Sequence, residues 1–233
     1  MTNNLDQVTL VDEHDEVLGS MDKIEAHRGE GKLHRAISTY LFRPSLEGRT
    51  SSPTTGGHDK RGVELLIQQR SVKKIVGANM WANTVCGNVR PTESYEECAY
   101  RRLKEELGIQ KNLLPSSEGR MSSSTTGELL LQPIHKFQYH LQCNEEFSEF
   151  EMDQVYVGWY DDKVTPNPDE AQNYKWVNWA ELQEKASLAE LKKDQFNTKE
   201  ITINNQSLTL APWFVWMLGD EKLQIKLDEF IKN

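Results

Sequence analysis

Residues 86–109, CGNVRPTESYEECAYRRLKEELGI, constrain this 233-residue chain more than any other stretch. An apolar run, Trp81 to Val85, ends on Cys86 and Gly87. A loop containing Pro91 follows, and then a helix with both ends marked. Glu93 and Ser94 open it, Glu96 and Glu97 place negative charge in the first turn where the backbone dipole favours it, and Gly108 stands where a C-cap belongs. Cys98, Ala99, Leu103 and Leu107 can face a core, which leaves Arg101, Arg102, Glu105 and Glu106 on neighbouring faces at three- and four-residue spacings. Singly, such charges are solvated ion pairs. Together with Gly87 and Glu93 they make a long frame with fixed spacings, which a merely solvated helix does not require.

Charge narrows the partners. Lys and Arg number 27 against 36 Asp and Glu, a net charge of -9, so a nucleic-acid backbone is not expected to bind. Arg70, Lys73, Lys74, Arg90, Arg101 and Arg102 nevertheless gather around the marked helix, which suits a small anionic ligand. The three cysteines, Cys86, Cys98 and Cys143, are an odd number without metal spacing and fit reduced thiols better than a disulfide framework. The N-terminus lacks the pattern of a secretory leader, and no run approaches the roughly 18 apolar residues of a membrane span. A cytoplasmic protein, monomeric or homodimeric, is expected.

Taken in order, Gln7–Val11 and Glu16–Gly19 read as a hairpin around a polar turn, and residues 21–27 as a short helix. His34–Phe42 and Val63–Arg70 read as antiparallel strands. Leu129–Leu141 and Glu149–Tyr160 read as a long hairpin, and Tyr174–Val177 as a further strand. A helix is predicted from Asn178 or Trp179 to about Asp194, then a polar connection, then a last helix from Pro212 to Ile231 with proline in its first turn. Two Ser/Thr/Gly-rich stretches, about 43–62 and 115–127, carry too little apolar surface to order themselves and are expected to be mobile loops. Strands in hairpins with helices set outside them imply one α+β domain over residues 1–233.

The loop-helix-loop frame at 87–109 resembles a Nudix box, whose last-turn carboxylates hold a divalent ion completed by water and substrate phosphate oxygens. The resemblance implies a mixed β-sheet sandwich flanked by helices, here with added N-terminal strands and a C-terminal helix. Superfamily hydrolases carry a glutamate directly after the box arginine. Here that position is Arg102, which can bind phosphate but can serve neither as a metal ligand nor as a base. Paired arginines there, with a cysteine just before the box glycine, resemble the type 1 isopentenyl diphosphate isomerases.

That second resemblance implies roles for particular residues. His27, His34, Glu149 and Glu151 match positions binding one divalent ion (Mn2+, Mg2+ or Zn2+), while Glu106 matches the carboxylate that binds Mg2+ beside the diphosphate. Lys23, Arg70, Lys74 and Arg102 match positions holding the diphosphate of a small isoprenoid substrate. Cys86 and Glu151 match the acid/base pair, Tyr139 a tyrosine hydrogen-bonded to the catalytic glutamate, and Trp213 a tryptophan whose π face steadies a carbocation. Residue pattern alone leaves alternatives open: a solvated strand face for Glu149 and Glu151, core packing for Trp213 and Tyr139, an inert buried thiol for Cys86. Two departures stand out. Asn88 occupies the place of the family's third histidine, so it either ligates through its oxygen or leaves a weakened site. Gly77-Ala78-Asn79 replaces an aromatic-Pro-Gly loop. The alternatives for function are a Nudix hydrolase of nucleotide or isoprenoid diphosphates, working through Glu93, Glu105 and Glu106, and a diphosphate-binding protein without turnover.

Overall fold

The computed structural model describes residues 6–45, 62–111, 129–192 and 196–233. Twelve strands and five helices follow in chain order. The first group is β1 (Gln7–Val11), β2 (Val17–Asp22), α1 (Lys23–His27), β3 (His34–Pro44), β4 (Val63–Arg70), β5 (Trp81–Ala82), β6 (Val85–Asn88) and α2 (Tyr95–Leu107). The second is β7 (Gln132–Gln142), β8 (Ser148–Trp159), β9 (Ala171–Asn178), α3 (Trp179–Leu188), β10 (Leu191–Lys192), β11 (Thr198–Ile203), β12 (Gln206–Leu210), α4 (Pro212–Gly219) and α5 (Glu221–Lys232). The strands join one mixed sheet, and the expected α+β class is what forms.

β3 is the hub. Its first half takes β6 antiparallel on one side, with Ser38 opposite Cys86, and nearly its whole length takes β8 parallel on the other, from His34 beside Glu151 to Phe42 beside Trp159. Its last residues pair with β4. Because side chains alternate along a strand, Tyr40 and Phe42 enter a core roofed by α3, α4 and α5, while Ile37 and Leu41 enter a second core under α2. His34 and Ser38 share the Tyr40 face. Glu149, Glu151 and Asp153 share one face of β8, and Cys86 and Asn88 one face of β6. Strand register thus assembles chemistry from segments more than 100 residues apart.

The helix read from sequence is α2. Ser94 accepts from the Glu97 amide at 3.2 Å while Glu97 accepts from the Ser94 amide at 2.8 Å, a capping box; Gly108 is left-handed at φ 67°. Cys98, Ala99, Leu103 and Leu107 are buried, as the pattern predicts.

Several expectations need correction. The helix from Trp179 ends at Leu188, not near Asp194, and a short strand follows. The predicted polar connection holds the β11–β12 hairpin, whose turn residues Asn204 and Asn205 both have positive φ. Two such residues between paired strands make the tight turn that matches strand twist, and buried Ile201, Ile203, Leu208 and Leu210 hold the hairpin to the core. The single last helix is two, divided at Asp220, whose amide closes α4 and whose carboxylate caps α5 at the Leu223 amide, 2.7 Å. Arg43 and Pro44 belong to β3, not to the first Ser/Thr-rich stretch. Residues 46–61 of that stretch, and the whole second one, lie outside the described residues.

Candidate active site

One cleft of about 580 Å³ opens beside β6 and takes its walls from α1, the 70–76 segment, α2, β7, β8 and α4. Of the residues singled out in the sequence, Lys23, His27, Arg70, Lys74, Cys86, Asn88, Arg102, Tyr139, Glu149, Glu151 and Trp213 line it. His34 lies just beneath, fully buried. Glu106 is the exception. It is 1% exposed and sealed behind the wall, one carboxylate oxygen taken by Arg102 and the other by Gln68.

The inner end of the cleft is a cluster of four. The ligand atoms of His27, His34, Glu149 and Glu151 lie within 4.8 Å of one another. His27 Nδ1 donates to the Lys23 carbonyl and His34 Nδ1 to the Lys32 carbonyl, each at 2.7 Å, so both Nε2 atoms turn inward. His27 Nε2 is 3.1 Å from Glu149, and His34 Nε2 is 3.6 Å from Glu151. Burial alone would raise Glu149; His27 overrides it and holds this carboxyl well below the usual range. Burial and then the neighbouring Glu149 charge push Glu151 well up. For His34, burial and then repulsion from His27 lower it to about 4, which leaves it neutral. Two inward imidazole nitrogens, the buried Glu151 carboxylate and the partly buried Glu149 carboxylate form a donor set suited to a divalent transition ion, with backbone carbonyls fixing the ring orientations.

Asn88 faces this cluster with its amide nitrogen, 3.0 Å from His34 Nε2 and 3.2 Å from Glu151 Oε1. Both of those atoms are acceptors, so the nitrogen and not the oxygen belongs there. Tyr139 completes the surround of Glu151, its hydroxyl donating to Oε2 at 2.6 Å.

Cys86 lies on the same sheet face. Burial, and then the buried Asp153 carboxyl, raise its thiol well above the ordinary range. Its sulfur is 3.0 Å from Asn83 Oδ1. Trp213 walls the cleft nearby, and Gly77 presses on it: a β-carbon at Gly77, which sits at φ 64°, would come within 2.5 Å of the indole. The departing loop 77–79 thus turns on two left-handed residues, Gly77 and Asn79.

The mouth is cationic. Lys23 borders the cleft with an accessible side chain, yet crowding by the walls and then repulsion from Arg102, Lys74 and Arg70 push it down to about 8. Arg70 donates to the Val76 carbonyl at 3.2 and 3.0 Å, and its guanidinium stacks 4.9 Å over the Trp213 ring. The stem of Arg102 lies over Gly87, where a β-carbon would meet it at 2.5 Å, so glycine at this box position is a steric requirement. Arg102 is bound by Glu105 at 2.6 Å, by Glu106, and by Glu170 at 2.7 Å, and Glu170 also holds Lys74. Burial would raise Glu170, but Arg102 and Lys74 hold it at about 2. Glu93 and Glu105 are likewise taken up by Arg101.

Glu170, Ser38, Asn83 and Asp153 escaped the sequence reading. Only Asp153 left a signal, as the third acidic residue of the alternation that begins with Glu149 and Glu151.

The NUDIX domain family matches residues 53–198, more than half of the chain, and the chain belongs to that family. Isopentenyl-diphosphate Delta-isomerase 1 of Aromatoleum aromaticum is 35% identical over 177 residues, covering 76% of this chain and 80% of that protein. The isopentenyl-diphosphate Delta-isomerase of Serratia proteamaculans is 29% identical over 215 residues, 92% of this chain and 90% of its own. Within the Nudix proteins the chain is a member of the isopentenyl-diphosphate Delta-isomerase family. The structure of DR0079 from Deinococcus radiodurans superposes with a TM-score of 0.53 at 21% identity, covering 78% of this chain and 88% of that one, which reflects the shared fold. Among the described residues no helix is long and apolar enough to cross a membrane.

Proposed function

We propose that this protein interconverts isopentenyl and dimethylallyl diphosphate. The observation that carries this reading is the placing of a buried carboxyl, Glu151, and a half-buried thiol, Cys86, in one tryptophan-walled cleft with a cationic mouth. Isomerisation requires a proton on the terminal carbon of the alkene and the loss of another from the carbon two bonds away. Glu151, held in place by the Tyr139 hydroxyl at 2.6 Å, is the group positioned to give the first proton. The positive charge then sits on the tertiary carbon, where the face of Trp213 attracts it and water is kept away. Cys86, as the thiolate, takes the second proton, and the double bond moves between the second and third carbons. Because one proton is gained and one lost, the diphosphate is untouched. The reverse direction starts from the thiol form, which burial favours in the ligand-free protein.

Lys23, Arg70, Lys74 and Arg102 are the groups that would grip the diphosphate, and the lowered Lys23 regains its full charge as the anion arrives. A manganese, magnesium or zinc ion at His27, His34, Glu149 and Glu151 would supply positive charge that offsets the buried carboxylates. The second, hydrolytic reading has less support: Glu93, Glu105 and Glu106 are all bound by guanidinium groups.

The deciding assay follows isopentenyl diphosphate by proton NMR with Mn2+ and Mg2+ present, alongside phosphate release. Formation of the dimethylallyl isomer without phosphate is expected; phosphate release without the isomer would favour the hydrolase, and neither product would sink both.

The four-residue cluster makes a further prediction about stability. Excess Mn2+ at about 100 times its dissociation constant should stabilise the protein by roughly 2.7 kcal/mol. At this chain length that is a rise of several degrees in melting temperature, and a chelator should reverse it. Asn88→His supplies a third inward imidazole and is expected to tighten manganese binding by roughly tenfold or more, on the scale of other changes around metal sites. Calorimetric titration of the two proteins checks this, and an unchanged affinity would mean that residue 88 does not face the ion.

A further inference from the structure

Behind Cys86, away from the cleft, the sheet register stacks a second set of polar groups. β6 pairs with β3 so that Cys86 stands opposite Ser38, and β8 pairs with β3 so that Asp153 lies beside Ala36, one same-face step from Ser38. Ser38 Oγ donates to Asp153 Oδ2 at 2.7 Å and lies 3.6 Å from the Cys86 sulfur. Ser38 is 1% exposed and Asp153 not at all. Among the described residues Asp153 has no ion-pair partner, and its Oδ1 has no hydrogen-bond partner. The one side-chain hydrogen bond of this buried carboxyl is therefore the one from Ser38, and that bond fixes where the hydroxyl stands beside the sulfur.

The sulfur's other polar neighbour, Asn83, has its amide nitrogen committed to the Thr39 and Val85 carbonyls at 3.3 and 3.1 Å, so only Oδ1 turns to the thiol. A carbonyl oxygen accepts from S–H but gives nothing to a thiolate. A serine hydroxyl does both. Resting on the isomerase reading above, we propose that Ser38 is a positioning residue for Cys86, its hydroxyl turning onto the sulfur when the thiolate forms, and that Asp153 holds Ser38 within reach. The buried Met217 sulfur lies 3.6 Å from Ser38 Oγ on the remaining side. On this side of the alkene the proton passes only between the Cys86 sulfur and the second carbon of the substrate; the Ser38 hydroxyl rotates and exchanges no proton.

The test compares Ser38→Ala with Ser38→Thr, and Asp153→Leu with Asp153→Asn, in the full-length protein. Two readouts are taken: kcat and KM for isopentenyl diphosphate, and the rate at which iodoacetamide alkylates the Cys86 peptide, followed by mass spectrometry. Ser38→Ala is expected to lower kcat by about 10- to 100-fold, less than the roughly 10²- to 10⁴-fold for a group that itself moves the proton, with KM within about threefold. Alkylation at Cys86 should slow at least about fivefold, since less thiolate forms without the hydroxyl. Ser38→Thr keeps the hydroxyl and should restore both, and Asp153→Asn should outperform Asp153→Leu. Equal rates for Ser38→Ala and wild type, or equal loss in Ser38→Ala and Ser38→Thr, would overturn the proposal. If Asp153→Leu does not fold, the two Ser38 variants decide. The alkylation arm needs no turnover, so a failure of the isomerase reading itself would show separately, as a wild type without product whose Cys86 reactivity still depends on Ser38.

Discussion

Cys86→Ala should lower kcat for isomerisation by roughly 10²- to 10⁴-fold, the range for losing a positioned acid/base group, and leave KM nearly unchanged. The cleft cations Lys23, Arg70, Lys74 and Arg102, proposed above to grip the diphosphate, sit on other elements and do not depend on the sulfur. The fold should tolerate the change, because Cys86 is only partly buried and alanine continues the β6 pairing with Ser38. A melting temperature within a few degrees of wild type is therefore expected. Deuterium exchange makes the prediction sharper. In D2O the variant still has Glu151 and should slowly exchange protons at the terminal carbon, whereas removal of a proton from the second carbon needs the missing thiolate. NMR of recovered substrate reads both positions. Label appearing equally at the two carbons would show that some other group acts as the base and would remove Cys86 from the mechanism.

How much of this was legible in the sequence depends on the distance over which each feature is determined. The α2 helix is decided within about fifteen residues by its capping box, its acidic first turn and Gly108, and it forms as read. The matched histidines, acids and cations came from resemblance, and most line one cleft. What could not be read was which strands lie side by side. β3 and β8 run parallel across more than 100 residues, so nothing local says that Asp153 will lie next to Ser38 or that both will back onto Cys86. Glu170 is a similar case: in a Pro-flanked loop it reads as surface charge, and only the fold puts it between Lys74 and Arg102. The β11–β12 hairpin was missed for a different reason. Its alternation was present in Ile201, Ile203, Leu208 and Leu210, but the intervening Asn204-Asn205 passed for a loop instead of a two-residue turn. Glu106 shows the limit of carrying a role over by position, since the residue matches but lies behind Arg102 instead of on the cleft wall.

Glu151→Gln should be at least as damaging as Cys86→Ala, and for two separable reasons. The first is the proton: glutamine fills the same space but has none to give, so kcat is expected to fall on the order of 10³-fold or more. The second is the cluster, because Glu151 is one of four groups whose ligand atoms converge and an amide oxygen is a weaker ligand than a carboxylate. Glu149→Gln separates these effects. Glu149 faces His27 at 3.1 Å, whereas Glu151 alone receives the hydroxyl of Tyr139 and the amide of Asn88. Both variants should therefore bind manganese more weakly, yet only Glu149→Gln should recover substantial turnover when the metal is raised well above its new dissociation constant. Glu151→Gln should stay inactive at any metal concentration, and in D2O it should lose exchange at the terminal carbon, the position Cys86→Ala retains. Restoration of Glu151→Gln by metal would mean that residue 151 serves only as a ligand and that the acid is elsewhere. The complementary exchange patterns of the two variants thus test which group stands at which end of the alkene, independently of how fast either turns over.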